Sequence, residues 1–215
     1  MNKVIHLACL FLFSIILKTD VDLTFSLNSD SIWRGIDQNN GKSTLGSELE
    51  INLDNGFFSN VWIESCCSES LGHPNREVGF SSGYKIFFQN NISLSFAYIA
   101  TNYPKSKIDN YDEVNFEIKI DNLKFKIFEG LDNHPNYYEV EYGFLSEDLS
   151  VFLSAGDFKP FKNDASSNGI NSKISMEFEL AELDIVIFYY HFNSNGNSDL
   201  NDDGIVFSIS KNLSF

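Results

Sequence analysis

The residues of this chain that could do chemistry fall into a few sets, each pointing to a different reaction. In the stretch 199–204, Asp199, Asn201 and Asp203 place side-chain oxygens at alternate positions ahead of Gly204, the spacing by which hard cations such as calcium collect oxygen ligands. The bidentate glutamate that closes such a loop is absent, because the corresponding position is Ser210. A solvated hairpin and a surface cation site both fit. Cys66 and Cys67 are adjacent, so they form a vicinal disulfide or two free thiols, without the C-x-x-C spacing of redox catalysis. Ester hydrolysis would need a nucleophile, a base and an orienting group on neighbouring elements. Of the histidines, His73 and His134 lie in Pro-containing stretches and His191 at a segment edge. None has an evident serine partner at strand spacing, so neither covalent catalysis nor a cofactor is expected.

The larger set is electrostatic. Asp30, Arg34, Glu48, Glu50, Glu64, Lys85, Glu117, Lys119, Glu139, Glu141, Lys173 and Glu177 recur at alternate positions between apolar residues. Such a pattern positions charge only if the elements are strands with one wet and one apolar face. Twelve segments carry it, at about 22–33, 43–54, 57–67, 76–87, 91–103, 112–121, 123–130, 136–145, 149–157, 169–180, 183–193 and 204–215. In one, Val114, Phe116, Ile118 and Ile120 alternate with Glu113, Asn115, Glu117 and Lys119. A one-residue slip would exchange the faces entirely. The eleventh segment is apolar on both faces.

Tight turns at Asp54-Asn55-Gly56, Gln89-Asn90, Asp121-Asn122, Ser146-Glu147-Asp148 and Ala181-Glu182 alternate with longer joins rich in Asn, Asp, Ser, Gly and Pro. Short turns at one end and long loops at the other, with an even strand number, are the plan of a bacterial outer-membrane barrel. Aromatic girdles are expected from Phe57, Phe58, Phe87 and Phe88 near the short turns and from Trp33, Tyr98, Tyr103, Phe158 and Tyr189 near the loops. Composition agrees: a net charge of -15 argues against nucleic acid, and 43% hydrophobic residues with a mean hydropathy of -0.15 exclude both a disordered tail and a helical membrane protein.

Lys3 followed by the apolar run Val4–Leu17 reads as a signal peptide over residues 1–19, with Cys9 inside it and the barrel over 20–215. Ile205, Phe207, Ile209, Leu213 and Phe215 share one face of the last segment, similar to the terminal pattern read by barrel-assembly machinery, although Lys211 interrupts it. A soluble β-sandwich would alternate in the same way; the signal, the loop asymmetry and this last strand favour the barrel.

Residues 25–65 also resemble the TorF-type porin family. The resemblance rests on Ser29-Asp30, Trp33-Arg34-Gly35-Ile36, Gln38, Gly56-Phe57-Phe58 and Trp62, and further on at Tyr98, Tyr103-Pro104 and Tyr111-Asp112-Glu113. It departs at Leu45-Gly46-Ser47, where the family usually has Gln-Gly-Gly. It implies an outer-membrane barrel and is weak about substrate.

The expectation is an all-β, transmembrane, antiparallel up-and-down barrel of about twelve strands in lipid. Strand parity turns the charged set into its lumen, with Arg34 pairing to Glu48 or Glu64 and narrowing the mouth. Such a barrel would pass small polar solutes or cations by diffusion. A non-conducting structural barrel, or an adhesin or receptor with acidic loops, fits the same pattern, and the oligomeric state is not legible.

Overall fold

The computed structural model describes residues 19–65, 76–104, 110–131, 135–159, 168–195 and 201–215. The strands are β1 (Thr19–Asn28), β2 (Ile32–Trp33), β3 (Ile36–Asp37), β4 (Thr44–Leu53), β5 (Phe57–Glu64), β6 (Glu77–Phe87) and β7 (Ile92–Asn102). They continue with β8 (Tyr111–Ile120), β9 (Leu123–Gly130), β10 (Asn136–Leu145), β11 (Ser150–Lys159), β12 (Gly169–Leu180), β13 (Leu183–Ser194) and β14 (Asp202–Ser214). Among the described residues there is no helix.

β1 and β4 to β14 pair antiparallel in sequence order, and β1 closes onto β14 through Asp22↔Ser214 to Asn28↔Ser208, giving a closed barrel of twelve strands. The closure leaves no wall strand with an unpaired edge. The expected signal segment lies outside the described residues except for Thr19, which already belongs to β1.

The short turns owe their tightness to pairs of residues held at positive φ. Asn90 and Asn91 join β6 to β7 at φ 62 and 56, and Ala181 and Glu182 join β12 to β13 at φ 52 and 61. Two successive left-handed residues make the turn whose twist matches a β-hairpin. At the opposite end the chain makes its longer joins.

Alternation sorts the faces as physics requires. Phe25, Leu27, Phe96, Phe116, Ile127, Leu153, Ile174 and Phe207 are exposed on the outer wall, while the intervening polar residues look into the bore. The closed interior is not polar throughout. Tyr137, Phe158 and Phe192 are buried inside the barrel toward the long-loop end, with Trp33, Ile36 and Phe128 packed against them.

This aromatic core corrects two expectations. Trp33, Phe158 and Tyr103 are interior residues and no part of an outer girdle, whereas Tyr98 and Tyr189 are exposed on the outside; Phe58 also faces inward, beside Gly83. The second apolar face of the segment 183–193 is the bore side, where Tyr190 and Phe192 are buried. The expected first strand, 22–33, also breaks: β1 ends at Asn28, and β2 and β3 leave the wall as a separate two-stranded hairpin. Ser29 and Ser31 are polar on the apolar parity of β1 and Ile32 is apolar on its polar parity, so the alternation fails where the chain leaves the wall.

Candidate functional site: a hairpin seated in a charged bore

The hairpin is built locally. The Asp30 carboxylate accepts the Ser31 backbone N–H at 2.8 Å and interrupts the strand. Ile32 then pairs with Asp37 and Trp33 with Ile36, around Arg34 and Gly35 at φ 53 and 87. Gly35 is required twice over: its φ is left-handed, and a Cβ there would fall 2.7 Å from the Cβ of Asn171. At the hairpin base the Asp37 carboxylate accepts the N–H groups of Asn39, Asn40 and Gly41 at 2.6, 2.7 and 3.0 Å.

This geometry carries Arg34 across the bore to Glu113 on β8, with contacts of 2.7 and 2.8 Å to the carboxylate. The two side chains are 7% and 4% exposed. The guanidinium carbon lies 4.6 Å from the rings of Trp33 and Phe128 and 5.1 Å from that of Tyr137, so cation–π contacts add to the ion pair. The partner of Arg34 is therefore Glu113, and the expectation of Glu48 or Glu64 fails. Those two sit on β4 and β5, the side of the wall the hairpin leaves, whereas the hairpin tip reaches β8.

The walls differ in how they hold charge. On β9 and β10, Lys124 meets Glu141 at 2.9 Å, and Lys126 meets Glu139 at 2.7 Å and Glu141 at 3.3 Å. Tyr137 donates to Glu139 at 2.9 Å and accepts from Asn171 Nδ2 at 3.0 Å, tying β12 into the same network.

On β4 to β6 the carboxylates rest on neutral donors. Asn60 donates to Glu48 and receives Ser81; Thr44 donates to Glu64 at 2.7 Å, Asn52 to Glu50 at 2.9 Å and Trp62 Nε1 to Glu77 at 2.9 Å. Among the described residues these carboxylates make no ion pair. An acidic wall thus faces a wall where acids and lysines alternate, which sets a transverse field across the bore. Between them, below the hairpin, is a cavity of about 370 Å³ lined by Trp62 and Glu77 on one side and by Lys126, Glu139 and Lys173 on the other.

Of the other expected residues, Lys85 lies over the Phe87 ring at 5.3 Å near the short-turn end, and Lys173 over Phe188 at 5.7 Å. Register turns Glu117 and Lys119 on β8 and Glu177 on β12 to the same side as Lys126, Lys124 and Ser150, the bore side. Asp30 stands at the loop-end mouth. Its pKa is pushed up from 3.8 to about 6, first by burial, then by the neighbouring Asp37 and Asp202, against the pull of the Ser31 N–H.

Cys66, Cys67 and Asp199 lie outside the described residues, as do His73 and His134. Asn201 uses its side-chain oxygen to accept the Ser194 N–H at 2.8 Å, and Asp203 is an exposed strand residue of β14. No metal-binding cluster occurs among the described residues. Strand parity marks Glu113 as inward, and what the sequence did not show is its pairing with Arg34, 79 positions away. The available signal was Arg34-Gly35 between Trp33 and Ile36, a two-residue turn flanked by apolar residues.

A closed antiparallel barrel of twelve strands, apolar outside and charged within, is the fold of porin-type channels. The chain belongs to a bacterial protein family of unknown function, Gcw_chp, whose pattern it matches over residues 18–183. Among solved structures it is similar to the KdgM porin, with a TM-score of 0.56 and 10% identity over 91% of this chain and 99% of that one. It is likewise similar to the NanC porin, with a TM-score of 0.57 and 9% identity over 90% of this chain and 100% of that one. KdgM has also been solved in complex with disordered oligogalacturonate. No curated protein matches the sequence.

Proposed function

We propose that this chain is a channel of the bacterial outer membrane, entered through a signal segment and barrel assembly at the strand ending in Phe215, and akin to the TorF-type porins. It passes small polar solutes, cations in preference to anions, through a lumen narrowed by the β2–β3 hairpin. The observation that carries this reading is the Arg34–Glu113 pair spanning a bore whose near wall, Glu48, Glu50, Glu64 and Glu77, holds carboxylates without lysine or arginine partners among the described residues. That wall disfavours an acidic oligosaccharide of the kind seen with KdgM.

The test is planar-bilayer recording of the refolded full chain across a potassium chloride gradient. A measurable conductance with a reversal potential on the cation side is expected. A silent bilayer would favour the second reading, a non-conducting barrel, which the aromatic seat of the hairpin supports: Trp33 and Ile36 pack into the core at the mouth.

A further inference from the structure

Across β12 to β14 the outer wall carries a polar row that a channel does not explain. Register places Ser172 on β12 opposite His191 on β13, and His191 opposite Asp203 on β14. All three are exposed and point away from the bore. Asn193 is exposed on the same face of β13, opposite Ile170 and so diagonal to Ser172. The adjacent row toward the short turns is Leu153, Ile174, Tyr189 and Ile205, so the polar set borders the apolar band where polar groups at a lipid surface cost least.

On the other flank Ser172 is paired with Ala155. This small residue leaves room for a groove of about 440 Å³ in the wall, lined by Phe125, Ile127, Val140, Ala155 and Ile170.

We propose that Ser172, His191 and Asp203 form a hydrolytic site for the acyl ester of a membrane lipid, with the acyl chain in the groove beside Ala155. Opposed residues on neighbouring strands have Cβ atoms about 4.5–5.5 Å apart, so an imidazole on the middle strand can present one nitrogen to the serine and the other to the carboxylate. That is the order nucleophile, base, orienter. The three side chains make no hydrogen bond to one another in the resting structure; such bonds tighten when substrate binds. Asp203 is the charged group facing His191 from β14, and β12 presents the neutral Ser172.

In the reaction Ser172 Oγ bonds to the ester carbonyl carbon and its proton passes to His191. The carbonyl electron pair moves onto oxygen, where the Asn193 amide donates a hydrogen bond. Collapse breaks the ester C–O bond, and the alcohol leaves with the proton from His191. Water then attacks the acyl carbon and gives a proton to His191, which returns it to the departing Ser172 Oγ. The products are a fatty acid and the alcohol.

The experiment uses the refolded full chain in mixed micelles containing a diacyl phosphatidylcholine, with fatty-acid release as the readout and a long-chain alkyl fluorophosphonate as the covalent probe. Wild type should release fatty acid and carry the probe on Ser172 by peptide mass mapping. S172A should lose both, by about a thousand-fold or more in rate, and H191Q should lose the label. D203N should lower kcat with KM unchanged, the mark of a positioning residue. Correct folding of each variant is checked by its heat-dependent gel shift. Absence of release and label in folded wild type would overturn the proposal, as would S172A releasing at the wild-type rate. Ser172 faces away from the bore, so S172A should conduct like wild type, and a failure here leaves the channel reading to its own test.

Discussion

At the scale of single residues, the proposed constriction turns on Arg34. Its guanidinium and the Glu113 carboxylate are almost wholly enclosed, so deleting one leaves the other buried without compensation, at a cost of about 3–5 kcal/mol. Arg34→Ala should therefore unseat the hairpin and raise single-channel conductance. Arg34→Ala with Glu113→Gln should recover part of the seating, since the stranded carboxylate is gone. Unchanged conductance in both would remove the constriction from the account. Asp30 supplies a pH dependence at the same mouth. Its carboxyl is pushed up to about 6 while seated, so the seated hairpin holds more protons than an undocked one. Seating is then firmest below pH about 4, weakens as pH rises through about 6 and is level above that. Open probability should fall on acidification from pH 7 to pH 5, and Asp30→Asn, fixed in the neutral state, should flatten the response.

At the scale of elements, the wall strands were legible in the sequence because each has to solve a two-sided problem: Val114, Phe116 and Ile118 must meet one medium and Glu113, Asn115 and Glu117 another. The hairpin left a local trace, the Arg34-Gly35 turn between Trp33 and Ile36, and none of where it would seat. The polar run Ser29-Asp30-Ser31 breaks the alternation of β1 and puts Ile32 on its polar parity, but where the next residues go is a tertiary fact, the closing of the bore around Tyr137, Phe158 and Phe192. For the same reason the parity of Glu113 could be read and its partner could not, and His191 showed no serine neighbour until register set Ser172 beside it. Deleting residues 31–38 and bridging the gap with glycine and serine should leave the wall intact, because β1 and β4 pair over their full length from Thr19↔Leu53 to Asn28↔Thr44. The deletion should give a heat-modifiable barrel with conductance at least as high as Arg34→Ala; a barrel that no longer folds would make the hairpin a structural element. Gly79 offers a subtler test. A Cβ there would fall 1.8 Å from the Trp62 indole, so Gly79→Ala should displace the ring and break its 2.9 Å bond to Glu77.

At the scale of the whole molecule, the proposed channel takes its sign preference from the acidic excess and its range from the walls. With a net charge of -15 and the carboxylates of β4 to β6 lacking cationic partners among the described residues, the bore should favour cations at low salt. The screening length shrinks from about 8 Å at physiological ionic strength to about 3 Å at 1 M, so the reversal potential per unit gradient should shrink as salt is raised; a salt-independent preference would point to a steric filter instead. The wall itself depends on its seam. Because β1 pairs with both β4 and β14, closure joins strands almost the whole chain apart, and until that pairing forms two edges stay open to other chains. The two tryptophans of this protein turn out to stand on the opposing parts of the constriction, Trp33 on the hairpin and Trp62 on the wall beneath it. Neither touches the surrounding detergent or lipid, so native ultraviolet emission is a built-in optical probe of the inner passage: with Trp62 replaced by phenylalanine, quenching by acrylamide would time the excursions of Trp33 without any attached dye.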